Sequence, residues 1–173
     1  MVYVYHSVRE PKHKPRGAAS RTVSGDMPTM GFLSFLFGEG GTNNKPQDPY
    51  WQRDPSLKFY RLLAIKPDRL KLGGRGGVFA LYHKGVRPGW VYVGATRDLG
   101  DAVERMKDHP EVSAMDARGG LFMTWAFIKD DKRDGVVAYL RHHLKPEVDD
   151  PDLDREMGCN PQNAKHIPVL LPG

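Results

Sequence analysis

The strongest alternation of apolar and polar positions lies mid-chain, in GVFALYHKGVRPGWVYVGATRDL (residues 77–99). Two apolar runs, Gly77 to His83 and Trp90 to Ala95, flank a loop containing Gly85, Pro88 and Gly89, which predicts a β-hairpin. Apolar groups alternate onto both faces of the first strand, with Val78, Ala80 and Tyr82 set against Phe79 and Leu81, so the sheet is expected to be covered on both sides. A helix is predicted from about Leu99 to Asp108, with Asp98 as its N-cap and Pro110 as its stop. The run LFMTWAFI (121–128) reads as a buried strand. After it, DDKRDGVVAYLRHHLKP reads as a helix that carries Val136, Val137, Tyr139, Leu140 and Leu144 near one face and ends at Pro146.

Upstream of the hairpin, Asp54-Pro55 reads as the cap and first residue of a short helix, with Leu57, Phe59, Tyr60, Leu62, Leu63 and Ile65 as its apolar face. The following PDRLKLGGRGG invites a phosphate-loop reading, but such a loop follows a strand and opens a helix, whereas this one precedes a strand; a flexible link is expected. Residues 1–53 show no sustained periodicity and read as a disordered or loosely attached arm. Within that arm, the apolar stretch Gly31 to Gly38 reads as a tucked plug or tail, or as a short amphipathic anchor, and Met30 is an alternative translation start. Residues 54–146 then form the domain. Residues 147–173, acidic and Pro-rich, are expected to be irregular. The order helix, strand, strand, helix, strand, helix predicts an α+β fold: a small three-stranded antiparallel sheet with flanking helices.

A length of 173 residues suits one domain plus an extension, and 27% charged with 39% hydrophobic residues is the balance of a soluble protein. The net charge of +5 is uneven: residues 54–129 carry thirteen Lys/Arg against eight Asp/Glu, and residues 130–173 six against nine. The basic part suits a polyanionic partner, or is an ordinary solvated surface. A single cysteine, Cys159, excludes an intrachain disulfide and a four-cysteine zinc site, and fits a reducing compartment. No apolar run reaches membrane-spanning length and MVYVYHSVRE lacks the features of a secretory signal, so a cytoplasmic location is expected.

Gly77-Val78-Phe79 opening the first strand and Tyr92-Val93-Gly94 closing the second, with Ala95-Thr96-Arg97-Asp98-Leu99 leading into a helix, resemble the GIY-YIG nuclease superfamily from Gly77 to about Pro146. The resemblance implies hairpin tyrosines that assist proton transfer from water, a helix arginine facing the developing phosphate charge, and a glutamate holding one divalent metal. Carried onto this sequence, Tyr92 matches the second tyrosine. Phe79 stands at the first, Ala102 at the arginine and Val137 at the glutamate. The implied function is therefore a catalytically degenerate domain kept as a binding module, with DNA or RNA as the favoured partner and no cofactor. One alternative is an active endonuclease using Mg²⁺ or Mn²⁺, with Tyr92 and a displaced Arg105, three residues past Ala102, as catalytic candidates. Another is a protein-interaction scaffold.

The nucleic-acid-binding candidates are Arg75, Lys84, Arg87, Arg97 and Arg105, which the hairpin turn, strand exit and first helix are expected to bring to one edge. Tyr82, Trp90, Tyr92 and Trp125 are base-stacking candidates, with core packing the commoner role for strand aromatics. No metal site is expected. Asp150, Asp152 and Asp154 alternate like a calcium loop, but Arg155 and Pro161 stand where glycine and glutamate are needed. His142 and His143 are adjacent, whereas a helical metal pair needs a spacing of three or four. Cys159 has His166 nearby in sequence and no third member of a nucleophilic site.

Overall fold

The computed structural model describes residues 45–173; Met30 and the stretch Gly31 to Gly38 lie outside them. The strands are β1 (Tyr60–Arg61), β2 (Gly77–His83), β3 (Gly89–Thr96) and β4 (Leu121–Ala126). The helices are α1 (Pro67–Leu70), α2 (Leu99–Asp108), α3 (Pro110–Ala114), α4 (Asp130–Leu144) and α5 (Pro151–Glu156), with 3₁₀ turns at Leu62–Ala64 and Met115–Arg118. The pairings between these strands are antiparallel, in the order β1-β4-β2-β3. The fold is thus α+β with a four-stranded antiparallel sheet, one strand more than the sequence pattern predicts.

The hairpin register places Leu81 opposite Tyr92 and Phe79 opposite Gly94, while Ala80 faces Val93 and Val78 faces Ala95. These two sets point to opposite faces. Phe79, Leu81 and Tyr92 pack with Leu99, Ala102, Val103 and Met106 of α2 and with Leu153 and Met157. Val78, Ala80, Val93 and Ala95 pack with Val136, Val137 and Leu140 of α4, and with Cys159 and Val169. Both faces of the sheet are covered, as the double alternation requires. Gly77 is needed because a Cβ there would meet the Ala126 carbonyl oxygen of β4 at 2.4 Å.

Three expectations are corrected. Asp54-Pro55 does not start a helix: the Asp54 carboxylate accepts from the backbone N–H groups of Ser56 and Lys58, and Leu57 turns left-handed at φ 60°. The chain then extends so that Tyr60 and Arg61 pair with Met123 and Phe122, giving β4 a partner on its open side. The arm boundary at residue 54 falls inside folded chain, since Gln52 N–H donates to the Trp125 carbonyl, Thr124 Oγ1 donates to the Gln52 carbonyl, and Gln47 bridges to Val169. Residues 147–173 are not wholly irregular. They contain α5, whose first turn is capped by Asp150 with Pro151 just inside.

Candidate functional site

Tyr92 lies fully buried on the face that α2 shares with α5. Its neighbour Phe79 packs at a ring separation of 5.9 Å and brings no hydroxyl. Gly94 makes room for the tyrosine ring, because a Cβ there would lie 2.7 Å from it. The Tyr92 hydroxyl donates to Asp154 of α5. Arg141 of α4 grips the same carboxyl group with two bonds, at 2.8 and 2.7 Å, and donates through Nε to the Val93 carbonyl at 2.9 Å. Burial, followed by the adjoining Asp154, holds the Tyr92 hydroxyl far above its ordinary pKa. Burial opposes the Arg141 charge, yet Asp154 more than offsets it and the guanidinium is raised. The network is closed around the tyrosine: the Tyr92 hydroxyl and the Asp154 carboxyl are buried and bonded to each other, while the part-exposed Arg141 caps them and reaches Asp149 at the surface.

Ala102 and Val137 are both fully buried, but on opposite faces of the sheet. An arginine at one and a glutamate at the other would not meet. Arg105, one turn past Ala102, is held by Asp101 at 2.6 Å and by Glu156 of α5 at 3.0 Å. Among the described residues no three of His, Cys, Asp and Glu converge to hold a metal ion, so the side chains around Tyr92 do not fit the divalent metal implied by the resemblance. Cys159 is buried beside Asp154 and Asp134, and burial first pushes its thiol up to about 12, far from nucleophilic range.

The five basic candidates do not share one edge. Arg75 and Arg97 stand where β2 begins and β3 ends: the Arg75 carbonyl accepts from Leu99 N–H, its guanidinium covers the Phe127 ring at 3.6 Å, and Arg97 approaches Asp130 only at 4.0 Å. Lys84 and Arg87 lie at the other end of the hairpin, about 20 Å away at the usual strand rise. The glycine-rich link beside Arg75 folds around an internal carboxylate: Asp98 accepts from Gly74, Gly100 and Asp101 N–H groups. The Gly74 bond, then that of Asp101, lowers its pKa, and a carboxylate of this chain fills the start of α2 where a phosphate loop would bind its ligand.

The hairpin end holds an open cleft of about 750 Å³ that the sequence pattern does not reveal, lined by Lys84, Arg87, Arg118 and Glu147 among others. On its floor, buried His83 accepts from Gly85 N–H through Nδ1 (3.2 Å) and meets Glu147 Oε1 through Nε2 (2.8 Å). Arg118 takes the other Glu147 oxygen at 2.6 Å. His83, then Arg118, holds the Glu147 carboxyl below its usual range. Lys84 Nζ sits 4.4 Å over the Phe122 ring, and among the described residues the Arg87 guanidinium has no partner. Of the aromatic candidates, Trp125 and Tyr92 are buried, while Tyr82 and Trp90 pack on each other and on Phe59.

No family model, curated protein or solved structure matches this chain.

Proposed function

We propose that this chain is a GIY-YIG-like domain that keeps the scaffold, has lost the chemistry, and serves as a nucleic-acid-binding module. The observation that carries the reading is the closed Tyr92–Asp154–Arg141 network. A hydroxyl buried under α5 and engaged by a carboxyl group cannot take a proton from water, and the helix position meant for a cation is the buried Ala102. The order strand pair, two helices and a 3₁₀ turn, strand, helix from Gly77 to Leu144, with β2 between β3 and β4, is compatible with the resemblance.

Binding is supported by what lies outside that network. Arg87 and Arg97 are exposed; among the described residues Arg87 has no acidic partner and Arg97 has only the exposed Asp130 at 4.0 Å, which leaves both free to contact phosphates. The nuclease alternative asks Arg105 to leave two carboxylates and asks for a metal-holding cluster of which there is none among the described residues. Among the described residues no helix is long and apolar enough to cross a membrane.

The test is fluorescence anisotropy of labelled DNA and RNA oligonucleotides at rising salt. The reading predicts binding whose log K falls linearly with log salt. Absence of binding at ~20 mM salt, where screening is weakest, rejects the nucleic-acid partner and leaves the interaction scaffold.

A further inference from the structure

The hairpin-end cleft is concave, cationic and incompletely neutralised. Lys84, Arg87 and Arg118 line it, and Glu147 is its one acidic lining residue. Both Glu147 oxygens are already engaged, one by His83 and one by Arg118. Arg118 spends only Nη1 on that contact, so its remaining N–H donors are available to a ligand. The walls are brought together by residues without side chains. A Cβ on Gly85 would strike the Arg118 carbonyl oxygen at 2.5 Å, one on Gly119 the Lys84 carbonyl oxygen at 2.8 Å, and one on Gly89 Glu147 Oε1 at 2.9 Å. Gly119 sits at φ 113°, which also favours glycine. The β2-β3 loop and the turn after α3 are thereby clamped into one cleft.

We propose that this cleft is a phosphate-binding site, in which Arg87 and Arg118 donate to the phosphate oxygens, Lys84 supplies a further positive charge, and the His83–Glu147 pair holds Arg118 in place. A guanidinium fork matches a phosphate in geometry, and a phosphate brings one to two negative charges to a cleft with an excess of positive ones. Naming nucleic acid as the source of the phosphate rests on the proposed function; the phosphate site itself does not. The phosphate is either a backbone diester or a terminal monoester.

The experiment is an amide chemical-shift titration of the full chain with inorganic pyrophosphate, joined to anisotropy with 5′-phosphorylated and 5′-hydroxyl oligonucleotides. Pyrophosphate is expected to shift the amides of residues 84–89 and 118–119. Arg87→Glu, which breaks no hydrogen bond or ion pair among the described residues, is expected to weaken both pyrophosphate and oligonucleotide at least tenfold. Arg118→Ala is expected to weaken them less, and Arg69→Ala on α1 not at all. A preference for the phosphorylated end assigns a terminal monoester; equal binding with the Arg87→Glu loss retained assigns the backbone. Oligonucleotide binding unmoved by Arg87→Glu overturns the site and keeps the nucleic-acid reading, whereas pyrophosphate shifts without oligonucleotide binding keep the site and overturn that reading. Shifts produced by an acidic peptide and not by pyrophosphate overturn the phosphate assignment.

Discussion

Tyr92 and Arg87 lie on the same hairpin and meet opposite fates. Around Tyr92, α5 closes over the sheet, and the buried tyrosine and aspartate are satisfied by each other and by the largely buried Arg141. Around Arg87 the chain opens, and a cation is left facing water beside a cleft. Residue types that suggest chemistry in sequence thus become scaffold in one region and remain available in the other. The difference is burial. Inside, an unmet ionisable group is costly, so the fold pairs Asp154 and Arg141, although the buried Trp125 Nε1 has no partner among the described residues; outside, an arginine without a partner among those residues costs little and can serve a ligand.

The comparison breaks most visibly in stability. Asp154→Ala leaves the largely buried Arg141 with only the exposed Asp149 as an acidic partner and removes the acceptor of the Tyr92 hydroxyl, and is expected to cost about 3 kcal/mol in urea unfolding. The analogous cut in the open region, Arg118→Ala, severs an ion pair that is half exposed and is expected to cost under about 1 kcal/mol. Equal losses would show that burial of Tyr92 and Asp154 does not set the cost of breaking the network. Tyr92→Phe is intermediate, at about 1 kcal/mol for one lost hydrogen bond, because Arg141 still holds Asp154.

Asp98 supplies a smaller effect with a pH signature. Its pKa is lowered in the folded state, so it contributes stability above the ordinary value of 3.8 and loses it as pH falls through the folded value. Asp98→Ala is expected to cost about 1 kcal/mol at neutral pH, the usual size for an N-cap, and less once the pH is below that range. An unfolding series between pH 2 and 7 reads both. The smallest stability effect is expected at the free cation: Arg87→Ala should stay within about 0.5 kcal/mol of the parent, while lowering the salt slope of nucleic-acid binding by about one unit.

Legibility in the sequence followed locality. The hairpin, β4, α2 and α4 could be read because period and caps lie within each segment, and Asp98 caps α2 as its position implies. The Asp-Pro signature shows where local reading stops. At 54–55 it opens a turn, because β4 needs a partner and draws Tyr60 and Arg61 into the sheet. At 150–151 the same two residues do start a helix, in a stretch whose acidity suggests loop. The buried Asp154 was hidden by that acidity, and its tie to Arg141 and Tyr92 joins three separate elements that no spacing rule connects. The absent alanine and valine chemistry at 102 and 137 was visible, but not that the two positions lie on opposite faces. His83 and Glu147, 64 residues apart, meet only when the chain after α4 returns to β3, where Glu147 and Val148 donate to the Trp90 and Val91 carbonyls.

The central claim is that the chain holds nucleic acid and does not cut it. A native gel of end-labelled DNA and RNA oligonucleotides, incubated with the full chain and Mg²⁺ at low salt, reads both halves at once. The account predicts a retarded band of full-length oligonucleotide that is weakened by Arg87→Glu and unchanged in length by Tyr92→Phe. Shortened products that depend on Mg²⁺ and vanish in Arg105→Ala would contradict it.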